Sequence, residues 1–201
     1  MRYNDVRSSW LLPFIKQLNI KTCCYCNAQY ATTVISGTNS IASYDLDHYY
    51  PQSKYPYLST SFFNLIPSCG YCNRHKSNQT TLEYPLYVNR HKQMLRFEIN
   101  RSDIIKYWLT ANSEMIHINL VDGKDAPFGF AKEYDNVFHI QIIYTSHIDE
   151  VEDILWKSRI YSDSYVNQLM ETFGKLFAHE PEKFWRFYYG FYIKESDILI
   201  R

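Results

Sequence analysis

The chain has 201 residues, of which 46% are hydrophobic, enough to bury a core, so a folded rather than an intrinsically disordered chain is expected. Lys plus Arg and Asp plus Glu number 21 each, so the formal net charge is zero. Non-specific affinity for nucleic acid comes from neutralising phosphates, so any such grip must be local or supplied by a partner.

Residues 5–18 carry Val6, Trp10, Leu11, Phe14, Ile15 and Leu18 near helical spacing, which predicts a scaffold helix interrupted or kinked at Pro13. Lys21-Thr22-Cys23-Cys24-Tyr25-Cys26-Asn27 follows, with Cys23 and Cys26 in C-x-x-C spacing and Cys24 as a spare thiol. From Ala28 to Ile35 and from Ile41 to Leu46 the residues are β-prone around Ser-Gly-Thr-Asn, which reads as a β-hairpin. Asp45 and Asp47 then share one strand face, and His48 falls at the start of a Tyr/Pro/Ser-rich loop. Ser61–Ile66 reads as a helical turn. Pro67-Ser68-Cys69-Gly70-Tyr71-Cys72 is a second C-x-x-C knuckle, and Asn73 to Asn78 opens a helix on which Asn73, Lys76 and Ser77 share a face.

Residues 86–106 are the most basic part of the chain, with Arg90, Lys92, Arg96, Arg101 and Lys106, either solvated surface or a phosphate-contacting face. Met94–Ile99 and Met115–Val121 read as strands, Asp122-Gly123-Lys124-Asp125 as a turn, and the tail from about Asp149 as helices. An aromatic run between Phe184 and Tyr192 reads as an interface surface or as covered core. The domain reading is 1–85 for an N-terminal helix and core, and 86–201 for a β/helical lobe used for interaction or scaffold.

Five cysteines, four of them in two metal-spaced pairs, point to a metal site rather than a disulfide framework. The N-terminus lacks the apolar core of a secretory signal, and no apolar run is long enough for a bilayer, so a reduced, cytoplasmic chain without membrane attachment is expected. Cys23, Cys26, Cys69 and Cys72 suit one tetrahedral structural Zn²⁺; a redox C-x-x-C would need a thioredoxin-like βαβ frame, which the pattern lacks. Asp47 and His48 are chemically suited to hold a second cation and to take a proton beside it.

The run Asp45-Leu46-Asp47-His48, then Pro51-Gln52-Ser53, Asn64 and Asn73, resembles the ββα-metal core of HNH endonucleases in the form braced by C-x-x-C pairs. The resemblance covers about residues 20–80. It implies an α+β fold: a zinc-braced HNH core with a mostly helical C-terminal lobe. It also implies a catalytic set of Asp47, His48, Asn64 and Asn73. Asp47 and Asn73 would bind Mg²⁺ or Mn²⁺, His48 would be the general base, Asn64 would pin the loop, and Asp45 would be auxiliary. Arg74 and Lys76 are the expected substrate-binding residues. The wording around these motifs is similar to PtuB-like HNH subunits of Septu and retron-linked antiphage defence systems, which work with an ATPase partner (PtuA-like). The expected substrate is DNA, with a homo-oligomer or hetero-complex as the assembly. An RNA-cleaving effector (on transfer RNA, for example) and a zinc-stabilised binding module with vestigial catalytic residues are the alternatives.

Overall fold

The computed structural model describes residues 11–37, 39–79 and 93–177. They group into two compact units, one drawn from Met1–Arg101 and His117–Ser146, the other from Ser102–Ile116 and His147–Arg201. The grouping departs from a boundary at residue 85, because one strand pair and two helices of the expected C-terminal lobe belong with the cysteine-rich segment. The aromatic run at 184–192 and the basic residues Arg90 and Lys92 lie outside the described residues.

Helix α1 (Leu12–Gln17) has Pro13 in its first turn, while residues 5–10 of the expected helix lie outside the described residues. A proline there removes an N–H that has no intrahelical acceptor anyway. Strand β1 (Thr33–Ser36) pairs antiparallel with β2 (Asn39–Ala42) around Gly37, whose φ of +59° is left-handed backbone that glycine adopts freely. The expected second arm of this hairpin is divided. Strand β2 ends at Ala42, and β3 (Asp45–His48) starts a different two-stranded sheet with β4 (Leu65–Ser68).

In that second sheet Asp45 lies opposite Ser68, Leu46 opposite Pro67, Asp47 opposite Ile66 and His48 opposite Leu65. Period-two alternation sends Leu46 and Leu65 into one apolar cluster, with Leu11, Leu12, Ile15, Ala31 and Tyr44. Ile66 points to a second cluster, with Tyr25, the four paired cysteines, Met94, Phe130, Tyr134, Phe138 and Ile140. The short sheet thus lies between two cores, with its aspartates on the cysteine side. The expected helical turn at 61–66 is a single 3-10 turn at Phe62–Asn64 before β4.

Helix α2 (Gly70–Lys76) starts at the second knuckle, with Cys69 as its N-cap. Strands β5 (Leu95–Ile99) and β6 (Ile118–Asp122) pair antiparallel, close to the expected positions. Gly123 follows, and a Cβ there would lie 2.0 Å from the Gln93 carbonyl oxygen, so the turn admits no side chain. Asp122 accepts hydrogen bonds from the backbone N–H groups of Gly129 and Ala131, fixing the entry to helix α4 (Phe130–Phe138), which helix α5 (Ile140–Thr145) follows.

The second unit contains helices α3 (Arg101–Thr110), α6 (Ile148–Ile160) and α7 (Asp163–Phe177). Its contacts include Tyr107 against Trp108, Trp108 edge-on to Trp156, and the Arg159 guanidinium 4.9 Å above the Trp108 ring. No helix among the described residues is long and apolar enough to cross a membrane.

Candidate active site

The first knuckle is shaped by its own backbone. The Cys23 N–H donates to the Gln29 carbonyl, the Asn27 N–H returns to the Cys23 carbonyl, and Asn27 has a left-handed φ of 54°. The Cys24 N–H donates to the Pro67 carbonyl, which ties this turn to β4. The phenols of Tyr134 and Tyr144 donate to the carbonyls of Tyr25 and Cys26 at 2.8 and 3.0 Å. The sequence reading assigned no role to α4 and α5; their tyrosines hold the knuckle from outside the motif.

Cys23, Cys26, Cys69 and Cys72 are all buried, and their sulfurs lie within 4.8 Å of one another. Cys26 Sγ is 4.0 Å from Cys69 Sγ, close to the roughly 3.8 Å edge of a tetrahedron with Zn–S bonds of about 2.3 Å. The Cys72 N–H points at Cys69 Sγ at 3.4 Å, as a donor suited to a thiolate. No cysteine is in a disulfide. The sulfurs perturb one another: Cys26 pushes Cys23 far above the ordinary thiol range, while Cys23 holds Cys26 down at about 7. Four soft donors in a closed, dry shell fit a structural zinc ion. Cys24 stands outside the set, its thiol pushed up to about 12 by burial alone.

On the other side of the same segment is an open cleft of about 440 Å³, lined by Asp45, Asp47, His48, Gln52, Ser53 and Asn73 among others. His48 Nε2 is 2.9 Å from the Ser59 carbonyl oxygen. A carbonyl only accepts, so Nε2 carries the proton there, and in the neutral ring Nδ1 is the basic nitrogen. Asn73 Nδ2 donates to Asp45 Oδ2 at 3.0 Å, so its nearest carboxylate partner is Asp45. Asp47, 5% exposed, receives the Tyr25 hydroxyl at 2.6 Å and the Lys76 ammonium at 2.8 Å, both on Oδ2. Burial, then the Asp47 carboxylate, raise the Tyr25 phenol well above its ordinary value, so it stays a proton donor.

The remaining expected site residues divide. Asn64 is buried and does not line the cleft: its amide accepts from the Tyr50 N–H at 2.7 Å and donates to the carbonyls of Tyr50 and Leu58. Arg74 is exposed, and its guanidinium and Asp45 Oδ2 both approach the space above Gly70. Lys76 departs from the expected substrate-binding role. It is 3% exposed, and its ammonium is used inside the protein by Asp47 and by the His48 carbonyl at 2.9 Å. Tyr25 was missed, because a residue inside a C-x-x-C loop reads as spacer until the fold brings it to Asp47. His75 bonds the Tyr71 carbonyl and stacks on the Tyr71 ring, away from the cleft lining.

A divalent cation in the cleft would find the carboxylates of Asp45 and Asp47 and the amide of Asn73. Among the described residues, His, Cys, Asp and Glu gather in metal-binding number only at the four cysteines. Few protein oxygens are what Mg²⁺ tolerates, since it commonly keeps waters and takes one or two carboxylates plus substrate phosphate. Neither a curated protein nor a solved structure matches the chain. Residues 23–82, the segment that builds both the cysteine cluster and the cleft, match the family model for HNH endonucleases, which supports an HNH endonuclease domain in this part of the chain.

Proposed function

We propose that the chain is a metal-dependent endonuclease that hydrolyses phosphodiester bonds in DNA at the cleft formed by β3, the loop after it and α2. The observation that carries this reading is His48: its ring is tethered by Nε2 to the Ser59 carbonyl, and it lines the same cleft as Asp45, Asp47 and Asn73. A neutral imidazole oriented through one nitrogen is arranged to take a proton from water at the other. Asp47 and Asn73 would hold Mg²⁺ or Mn²⁺, with Asp45 orienting the Asn73 amide. When bound, such an ion supplies charge stabilisation to the phosphate and to the leaving oxygen. Asn64 would keep the loop after His48 in register, and Arg74, exposed on α2 next to Asn73, would meet a phosphate. Cys23, Cys26, Cys69 and Cys72 would hold structural zinc.

The biological setting we propose is a nuclease effector of a bacterial antiphage defence system acting with an ATPase partner. The resemblance of the Asp45–Pro56 and Asn64–Cys69 runs to PtuB-like subunits supports it. The balanced charge, 21 basic against 21 acidic residues, fits a nuclease that relies on a partner for its hold on nucleic acid. The test is to incubate the purified protein, with and without the product of its genomic neighbour, with plasmid DNA and total RNA in Mg²⁺. Plasmid cleavage that His48→Ala abolishes is the expected result. Cleavage of RNA alone would replace the substrate assignment, and binding without cleavage in every mixture would make the domain a zinc-stabilised binding module.

A further inference from the structure

Tyr25 occupies the first cysteine knuckle, between Cys24 and Cys26, yet its hydroxyl bonds a residue outside the sulfur set. It donates to Asp47 Oδ2 at 2.6 Å in a buried contact. The same oxygen receives the Lys76 ammonium, which also donates to the carbonyl of His48. Among the described residues both polar contacts of Asp47 fall on Oδ2, while Asp47 itself lines the cleft.

Both donors are fixed by the cysteine cluster. Tyr25 lies in the turn between the cluster members Cys23 and Cys26, and is held there by the Tyr134 hydroxyl on its carbonyl and by a stacked Phe138 ring 4.6 Å away at 18°. Lys76 ends α2, the helix that Cys69 caps and Cys72 enters in its first turn. A carboxylate gripped on one oxygen by a phenol and an ammonium cannot swing, and it presents its other oxygen in one direction. Partners of this kind set the orientation and basicity of a metal ligand.

We propose that Tyr25 and Lys76 are positioning residues that clamp Oδ2 of Asp47, leaving Oδ1 to meet the catalytic cation, so that the cysteine cluster sets the affinity of the cleft for that cation. The inference rests on the proposed role of Asp47 as a cation ligand. It joins two sites that the sequence presents as separate: one knuckle residue carries the geometry of the sulfur cluster to the cleft. The clamp also fixes the β3 backbone at His48, so the base and the cation ligand are held by one ammonium.

Tyr25→Phe removes the hydroxyl and keeps the ring stack, so zinc content and melting temperature should stay near wild type. Mn²⁺ affinity, read by electron paramagnetic resonance titration on zinc-replete protein, should fall roughly 10–100-fold. In nuclease assays kcat should fall and KM for nucleic acid should not. In an Asp47→Asn background, Tyr25→Phe should cause no further loss of Mn²⁺ affinity, because its effect passes through that carboxylate. Wild-type Mn²⁺ affinity in Tyr25→Phe, beside a large loss in Asp47→Asn, would overturn the clamp while leaving Asp47 as ligand. Wild-type affinity in Asp47→Asn would remove the underlying reading instead. An additive loss in the double variant would show that Tyr25 acts by another route and would overturn the proposal.

Discussion

The cysteine cluster and the cleft are built by the same segment and differ in almost every physical respect. At the cluster four soft donors face one another inside a dry shell, with tyrosines from α4 and α5 holding the turn from behind. At the cleft the donors are hard, the mouth is open, and the groups divide between those that face solvent and those that hold them. A closed set of four thiolates has no coordination position for a substrate, whereas oxygen donors at an open mouth leave room for water and phosphate. In the function proposed above, holding belongs to the first site and chemistry to the second. The hydrogen bond from Tyr25 to Asp47 is where the two touch.

The strongest way to break this contrast is at the closed site. Cys69→Ser removes a sulfur ligand and the N-cap of α2 together. Because structural zinc in small domains contributes on the order of 10 kcal/mol to folding, the cooperative thermal transition of the first unit should vanish and zinc content should collapse. Cys24→Ser, one residue from Cys23, should retain both, since Cys24 lies outside the cluster. Calorimetry with elemental analysis on the two variants checks the pair.

The next largest effect belongs to the open site and should leave the fold alone. His48→Ala should lower the rate of phosphodiester cleavage by about 10²–10⁴-fold, with melting temperature, zinc content and nucleic-acid binding near wild type. A variant that lost its zinc as well would mean that the loop bearing His48 is part of the structural brace.

A smaller effect sharpens the boundary between the two roles. Asn64→Ala leaves the Tyr50 N–H and two carbonyls without the amide that serves them. Each buried group left unsatisfied costs about 1–3 kcal/mol, so a clear drop in melting temperature is expected, with catalysis reduced through loop disorder and not abolished. Denaturation midpoints compared with single-turnover rates check this, the rates being the more tolerant quantity.

How much of this was legible in the sequence follows from how far apart the deciding partners lie. The cysteine set was readable because C-x-x-C spacing is a local signature of metal ligation. The shared face of Asp45 and Asp47 was readable because the two aspartates flank an apolar Leu46 in period two, but the break after Ala42 that puts them in a separate sheet was not. Strand β4 was not, since Pro67 reads as a turn; it is tolerated because β4 pairs on one side only, in a two-stranded ladder. Lys76 looked like a surface cation on an Asn73 face, and only the fold shows Asp47 waiting for it across the core. Tyr25, Tyr134 and Tyr144 act through contacts 22, 109 and 118 residues away in sequence, beyond the reach of any local pattern.

The division of labour between a closed sulfur site and an open oxygen site is tested most directly by chelation, with zinc content and cleavage measured on one sample. After mild EDTA washing, about one equivalent of zinc should remain per chain, cleavage should be lost, and added Mg²⁺ or Mn²⁺ should restore it. Cleavage that survives complete removal of exchangeable divalent ions, or that falls in step with zinc and returns only with zinc, would contradict the account.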